Sequence, residues 1–180
     1  MKNFKIYFIL ICTVILLCSC MGVRPGSRKG ASSLYESFYA GEEGMQYFIK
    51  PLEFKDNNKN KLLVDFTFRY KKEIKDSVIV NISVISENLI REFNALKITT
   101  KDNIVSADTL NFFLSQIHNE DITSRFTTNI FLGDIVDIFE SSDWVINIDT
   151  NYIKSEFYPT NKTKKIIKRL NQNLFILFRH

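Results

Sequence analysis

The sequence predicts an α+β domain made mainly of antiparallel β-sheet, with two or three helices, one of them C-terminal. A two-sheet sandwich is one arrangement open to such a chain. Three observations predict this class. Two long stretches, around residues 62–70 and 78–84, alternate large apolar and smaller or polar residues. Short polar turns, too short for a parallel crossover, connect them. Residues 161–178 instead carry apolar residues at helical spacing.

The alternation is explicit. Leu62, Val64, Phe66, Phe68 and Tyr70 occupy one parity, with Leu63, Asp65, Thr67 and Arg69 between them. Successive side chains of a strand point to opposite faces, so this pattern gives one apolar face. Val78, Val80, Ile82 and Val84 repeat it against Ile79, Asn81 and Ser83. Upstream, Phe48, Leu52 and Phe54 fit a third strand, with Pro51 pushing it toward a sheet edge because proline cannot donate to a ladder. The turn Asp56-Asn57-Asn58-Lys59-Asn60 joins the first pair, and residues 71–76 join the next. The result is a meander with one face on the core.

Further along, residues 87–106 are ambiguous, with short strands expected at 97–100 and 103–105. Asp108 is placed to cap a helix in which Leu110, Phe113, Leu114 and Ile117 stand at i, i+3, i+4 and i+7. Residues 125–132 return to alternation. Gly133-Asp134 opens a short helix whose Ile135, Val136, Ile138 and Phe139 face inward. Trp144, Ile146 and Ile148 mark a strand, and residues 152–158 another, ended by Pro159. In the last helix Ile166, Ile167, Leu170, Leu174 and Leu177 share a face, although residues 174–178 also fit a strand.

Composition sets the outer limits. The chain has 180 residues, 45% of them hydrophobic and 16 of them Phe, enough for one domain with a substantial core. Its formal net charge is +4. The three cysteines, Cys12, Cys18 and Cys20, all lie in the first 20 residues. Residues 21–180 therefore offer neither a disulfide nor a cysteine metal site.

The N-terminal segment reads MKNFKIYFILICTVILLCS. Lys2 and Lys5 precede an apolar run from Phe8 to Cys18, the length of a signal h-region and short of the roughly 20 residues a spanning helix needs. Leu17-Cys18-Ser19-Cys20 closes it. This tetrapeptide resembles the lipobox of bacterial lipoproteins. The resemblance implies a signal peptide over residues 1–19, cleavage before Cys20 and diacylation of its thiol. A two- or three-chain lipid gives durable anchoring, at about 0.8 kcal/mol per buried methylene. Lys2 and Lys5 would leave with the signal, so the mature chain carries 22 basic and 20 acidic residues. That near balance, with export, argues against a nucleic-acid partner.

By the same resemblance, Met21 in place of Asp favours outer-membrane sorting. The basic run from Met21 to Gly30 favours the periplasmic face over surface display. The abundance of Lys, Asn, Ile and Phe suits an AT-rich genome such as many Bacteroidota. Residues 20–44 are expected to be a tether, and 45–180 the single folded domain. Arg24, Arg28 and Lys29 would lie near anionic headgroups. Leu34, Tyr35, Phe38 and Tyr39 are too apolar for a tether; they either dock on the domain or bind a partner, with Tyr35, Phe38 and Tyr39 the candidate partner contacts.

Catalytic chemistry is hard to assemble. His118, Asp121 and Ser124 fall together as polar loop residues often do, and no catalytic residue is assigned. Glu42-Glu43, Glu120-Asp121 and Asp134 with Asp137 lack calcium-loop spacing. Asp134 reads as a helix N-terminal residue, and Lys164, Lys165, Lys168 and Arg169 as the solvated face of the last helix. No metal and no cofactor are expected. The expectation is a non-enzymatic envelope lipoprotein that binds or positions another envelope protein, its oligomeric state open. Accessory lipoproteins of secretion machines, such as the type VI kind, are similar in size, anchor and β content alone. The alternatives are a small-ligand or lipid carrier and a hydrolase of surface polymers.

Overall fold

The computed structural model describes residues 34–58, 60–71, 77–107, 109–119 and 121–179. Cys20, Arg24, Arg28 and Lys29 lie outside them. Among the described residues, ten strands form one continuous sheet that curls into a half-barrel. The strands are β1 (Tyr35–Tyr39), β2 (Met45–Lys55), β3 (Lys61–Tyr70), β4 (Ser77–Ser86), β5 (Phe93–Thr99), β6 (Ile104–Ala107), β7 (Asn111–His118), β8 (Asp121–Phe131), β9 (Val145–Thr150) and β10 (Lys154–Pro159). Helix α1 (Leu132–Ile138) follows β8, and α2 (Asn161–Asn173) follows β10, with a 3-10 turn at Phe175–Phe178. The spatial order is β6-β5-β9-β10-β2-β3-β4-β8-β7, with β1 also on β2, and every pairing is antiparallel.

The meander of β2, β3 and β4 follows the alternation. Leu62, Val64, Phe66 and Phe68 are buried, as are Val78, Val80, Ile82 and Val84 on the facing strand. Asp56 closes the β2–β3 turn: its carboxylate accepts from the Asn58 and Asn60 backbone amides at 2.9 and 2.8 Å, and from the Ser155 hydroxyl at 3.0 Å. The β1–β2 turn depends on Gly44. Its φ is +86°, and a Cβ there would lie 2.5 Å from the Tyr70 carbonyl.

The aromatic residues of the curled face fill its concavity. Phe54 stacks on Trp144 at 5.9 Å, Trp144 meets Phe139 edge-on at 4.8 Å, and Phe139 stacks on Phe175 at 3.9 Å. The Trp144 indole N–H donates to the Ile138 and Ser141 carbonyls, both at 2.8 Å. Helix α2 is tied to the sheet at its start. Thr160 caps it by accepting from the Thr163 amide, and the Thr163 hydroxyl donates to the Glu53 carbonyl at 2.6 Å. Ile167, Leu170 and Leu174 are buried beneath it, whereas Leu177, in the 3-10 turn, is 56% exposed.

Several expectations are corrected. Leu34, eleven residues before position 45, is buried, and β1 pairs along Met45–Ile49. Pro51 does not mark an edge, because β2 has neighbours on both sides. Along one side β1 pairs as far as Ile49 and β10 from Phe54, and Pro51 falls in the irregularity between Ile49 and Leu52, outside the regular β2–β3 register. The irregularity between Ile49 and Leu52 also reverses the strand's phase, so that Ile49 is buried and Phe48 points outward. Residues 110–117 are not a helix: 111–118 form β7 on the edge beside β8, and Asp108 lies outside the described residues. Residues 174–178 are neither strand nor a continued helix: Leu174 caps the helix, and Phe175–Phe178 form the 3-10 turn.

Candidate partner-binding surface

On the convex face, away from the core, the strands carry a mixed layer of side chains. Its centre is polar and internally bonded. Asp65 on β3 accepts from Asn81 Nδ2 at 2.7 Å and from Arg125 at 2.8 Å, and Arg125 also donates to the Ser83 hydroxyl at 3.0 Å. These residues join β3, β4 and β8 across the sheet and leave little free valence for a ligand.

Toward the end of the sheet where β1 and β2 meet, the layer becomes apolar. Phe38 stacks on Phe48 with ring centres 5.2 Å apart, and both remain partly exposed. Ile79, 43% exposed, continues the surface through Thr67. Together with Gln46, Arg69, Ser77 and Asn129 they line an open groove of about 540 Å³. One wall is fixed and charged. Gln46 is buried, donates to the Phe68 carbonyl at 3.1 Å and accepts from Arg69 Nε at 2.7 Å, while Arg69 is salt-bridged to Glu43. A groove with a stacked aromatic floor and a held guanidinium at its rim suits an apolar or aromatic side chain bearing a neighbouring acceptor.

The three aromatic residues singled out in the sequence part company here. Phe38 belongs to the groove. Tyr35 packs half-buried against Tyr47 at 6.2 Å and against the core, and Tyr39 is 75% exposed on the concave parity of β1. Tyr47 in turn lies against Phe68 and Phe178, at 5.1 and 5.5 Å. Burial, aided by the Tyr35 and Tyr70 phenols, raises its pKa above the ordinary tyrosine value. Sequence reasoning missed Phe48, Ile79 and Arg69 as surface partners of Phe38. For Ile79 the signal was present: a large aliphatic on the polar parity of its strand.

Several of the remaining polar candidates have structural partners, and Glu120 lies outside the described residues. The Ser124 hydroxyl is fully buried and accepts from the Ile90 amide at 3.0 Å, while His118 sits exposed at the end of β7. Glu43 is held by Arg69, and Lys164 by Asp143. Asp134 lies in the first turn of α1. A second open groove, about 370 Å³, is lined by Asn88, Leu89, Arg91, Glu92, Asn151 and Tyr152. Among the described residues no cluster of three or more His, Cys, Asp or Glu could hold a metal ion, and no helix is long and apolar enough to cross a membrane. Comparison with family models, curated proteins and solved structures finds no match to this chain.

Proposed function

We propose that this chain is a lipid-anchored envelope lipoprotein whose domain binds and positions another envelope protein through the Phe38–Phe48 groove. The anchor rests on the lipobox-like Leu17-Cys18-Ser19-Cys20 behind a charged and apolar leader. The binding role rests on one observation: stacked aromatic rings and Ile79 left on the convex face, beside an arginine oriented by Gln46 and Glu43. Apolar side chains grouped outside the core mark interaction surfaces. The carrier alternative has less support, since Phe54, Phe139, Trp144 and Phe175 occupy the concavity in which a ligand would ride.

The test has two arms. Producing cells are fed labelled palmitate, and the outer-membrane fraction is probed for the chain. Label and outer-membrane recovery are expected in the wild type and lost in Cys20→Ala; label that persists in the variant would refute the anchor. Separately, a photo-crosslinking residue at position 38 or 48 is expected to trap one envelope protein, and Ile79→Asp to abolish the adduct. Equal trapping from exposed Ile104 on β6 would refute the groove as the binding surface.

A further inference from the structure

The sheet does not close, and its free edges differ. Strand β6 is four residues long, and β1 is five residues long and carries Glu36. Strand β7 is eight residues long, and its sequence NFFLSQIH contains no Lys, Arg, Asp, Glu or Pro. β8 covers one side of it; along the other, no strand pairs with it among the described residues. An edge of this kind presents unpaired backbone donors and acceptors, which natural sheets usually protect with charges, proline or shortness. Here the one protective device is the irregularity between Phe112 and Leu114, which leaves 114–118 in regular register with β8. The side chains are apolar as well as the edge being open: Phe113 is 65% and Ile117 76% exposed.

We infer that β7 is a dimerisation edge, pairing antiparallel with β7 of a second copy of this chain about a two-fold axis at Ser115. The occupant must be an extended strand, because only a strand supplies backbone groups along the whole edge. A second copy of β7 brings an equally uncharged strand to this edge. With Ser115 on the axis, Leu114 lies opposite Gln116 within the regular stretch, and at each end the bulged Phe113 comes beside Ile117 of the other copy. No acidic or basic pair is brought face to face, and the two most exposed apolar residues of the strand cover each other. A two-fold contact of this kind is self-complementary and closes at two copies, so it uses up the edge instead of propagating a filament.

Light scattering on the full-length chain in detergent, over a concentration series and with the detergent mass subtracted, reads the association. Dimers are expected for the wild type and for Ile104→Lys and Phe38→Lys, which lie off this edge. Phe113→Lys and Ile117→Lys should each weaken association by at least about tenfold. Both side chains are exposed in the single copy, so circular dichroism should be unchanged, as should the thermal midpoint at dilutions where the wild type is also monomeric. Hydrogen exchange gives an independent reading: amides between Leu114 and His118 should gain protection as the wild type is concentrated. A monomer at all concentrations, a dimer indifferent to lysine at 113 and 117, or a different polypeptide bound stoichiometrically along β7 would each overturn the inference.

Discussion

Replacing Phe175 by alanine should cost this protein about a third of its stability. The side chain is fully buried. It stacks on Phe139 at 3.9 Å and lies within 6.2 Å of the Phe68 and Phe178 rings. Loss of the transfer energy is about 1.5–3 kcal/mol, and the hole left between rings that are themselves held by the sheet adds to it, for a total of about 3–5 kcal/mol. Typical domains have about 5–15 kcal/mol in all. With a urea dependence of about 2 kcal/mol per molar, the midpoint should fall by about 2 M at unchanged slope. Leu177→Ala, two residues on but 56% exposed, should stay within about 0.5 kcal/mol of wild type. Equilibrium urea unfolding followed by tryptophan fluorescence suits the measurement, because Trp144 sits edge-on to Phe139. A loss below about 1 kcal/mol, or one equal to that of Leu177→Ala, would refute the placement of Phe175 among the core rings.

Two more outcomes follow from the same geometry. The raised pKa of Tyr47 means that the folded state holds this proton more tightly than the unfolded chain. Its stabilising contribution is therefore whole below the ordinary tyrosine value of 10.0 and is lost as pH rises through the folded value. The urea midpoint should fall in alkali less steeply for Tyr47→Phe than for wild type, and identical slopes would remove Tyr47 as the cause. In the Asp65–Arg125 pair, the side chains are 13% and 30% exposed and share hydrogen bonds with Asn81 and Ser83. A double-mutant cycle of Asp65→Ala and Arg125→Ala should give a coupling of about 1–2 kcal/mol, above that of an exposed pair; additivity of the two losses would show the network to be ornamental.

Strands β3 and β4 were legible because a single buried face forces strict alternation over many residues. Legibility failed where that constraint lapsed. Leu110, Phe113, Leu114 and Ile117 have helical spacing, yet the segment is a strand. On an edge with little core beneath it, nothing enforces alternation, and the bulge at Phe113 shifts the phase by one residue. Pairing with β8 then outweighs local helical preference. Phe48 was placed with Leu52 and Phe54 for a related reason: the irregularity around Pro51 puts Phe48 on the opposite face from them. That misreading hid the groove, since Phe38 has its aromatic partner only once Phe48 faces outward.

By itself the sequence determined the class: an antiparallel meander, a C-terminal amphipathic helix, and a domain without cysteine chemistry beyond residue 20. Those properties follow from local periodicity and composition, which any arrangement of the strands must respect. Only the tertiary structure decided that Tyr35 to Tyr39 join the sheet, that β1 and β10 share one side of β2, and that among the described residues β7 is left with an open edge. Strand order and phase at a bulge depend on which distant backbone satisfies which hydrogen bond, and a one-dimensional pattern carries no record of that choice.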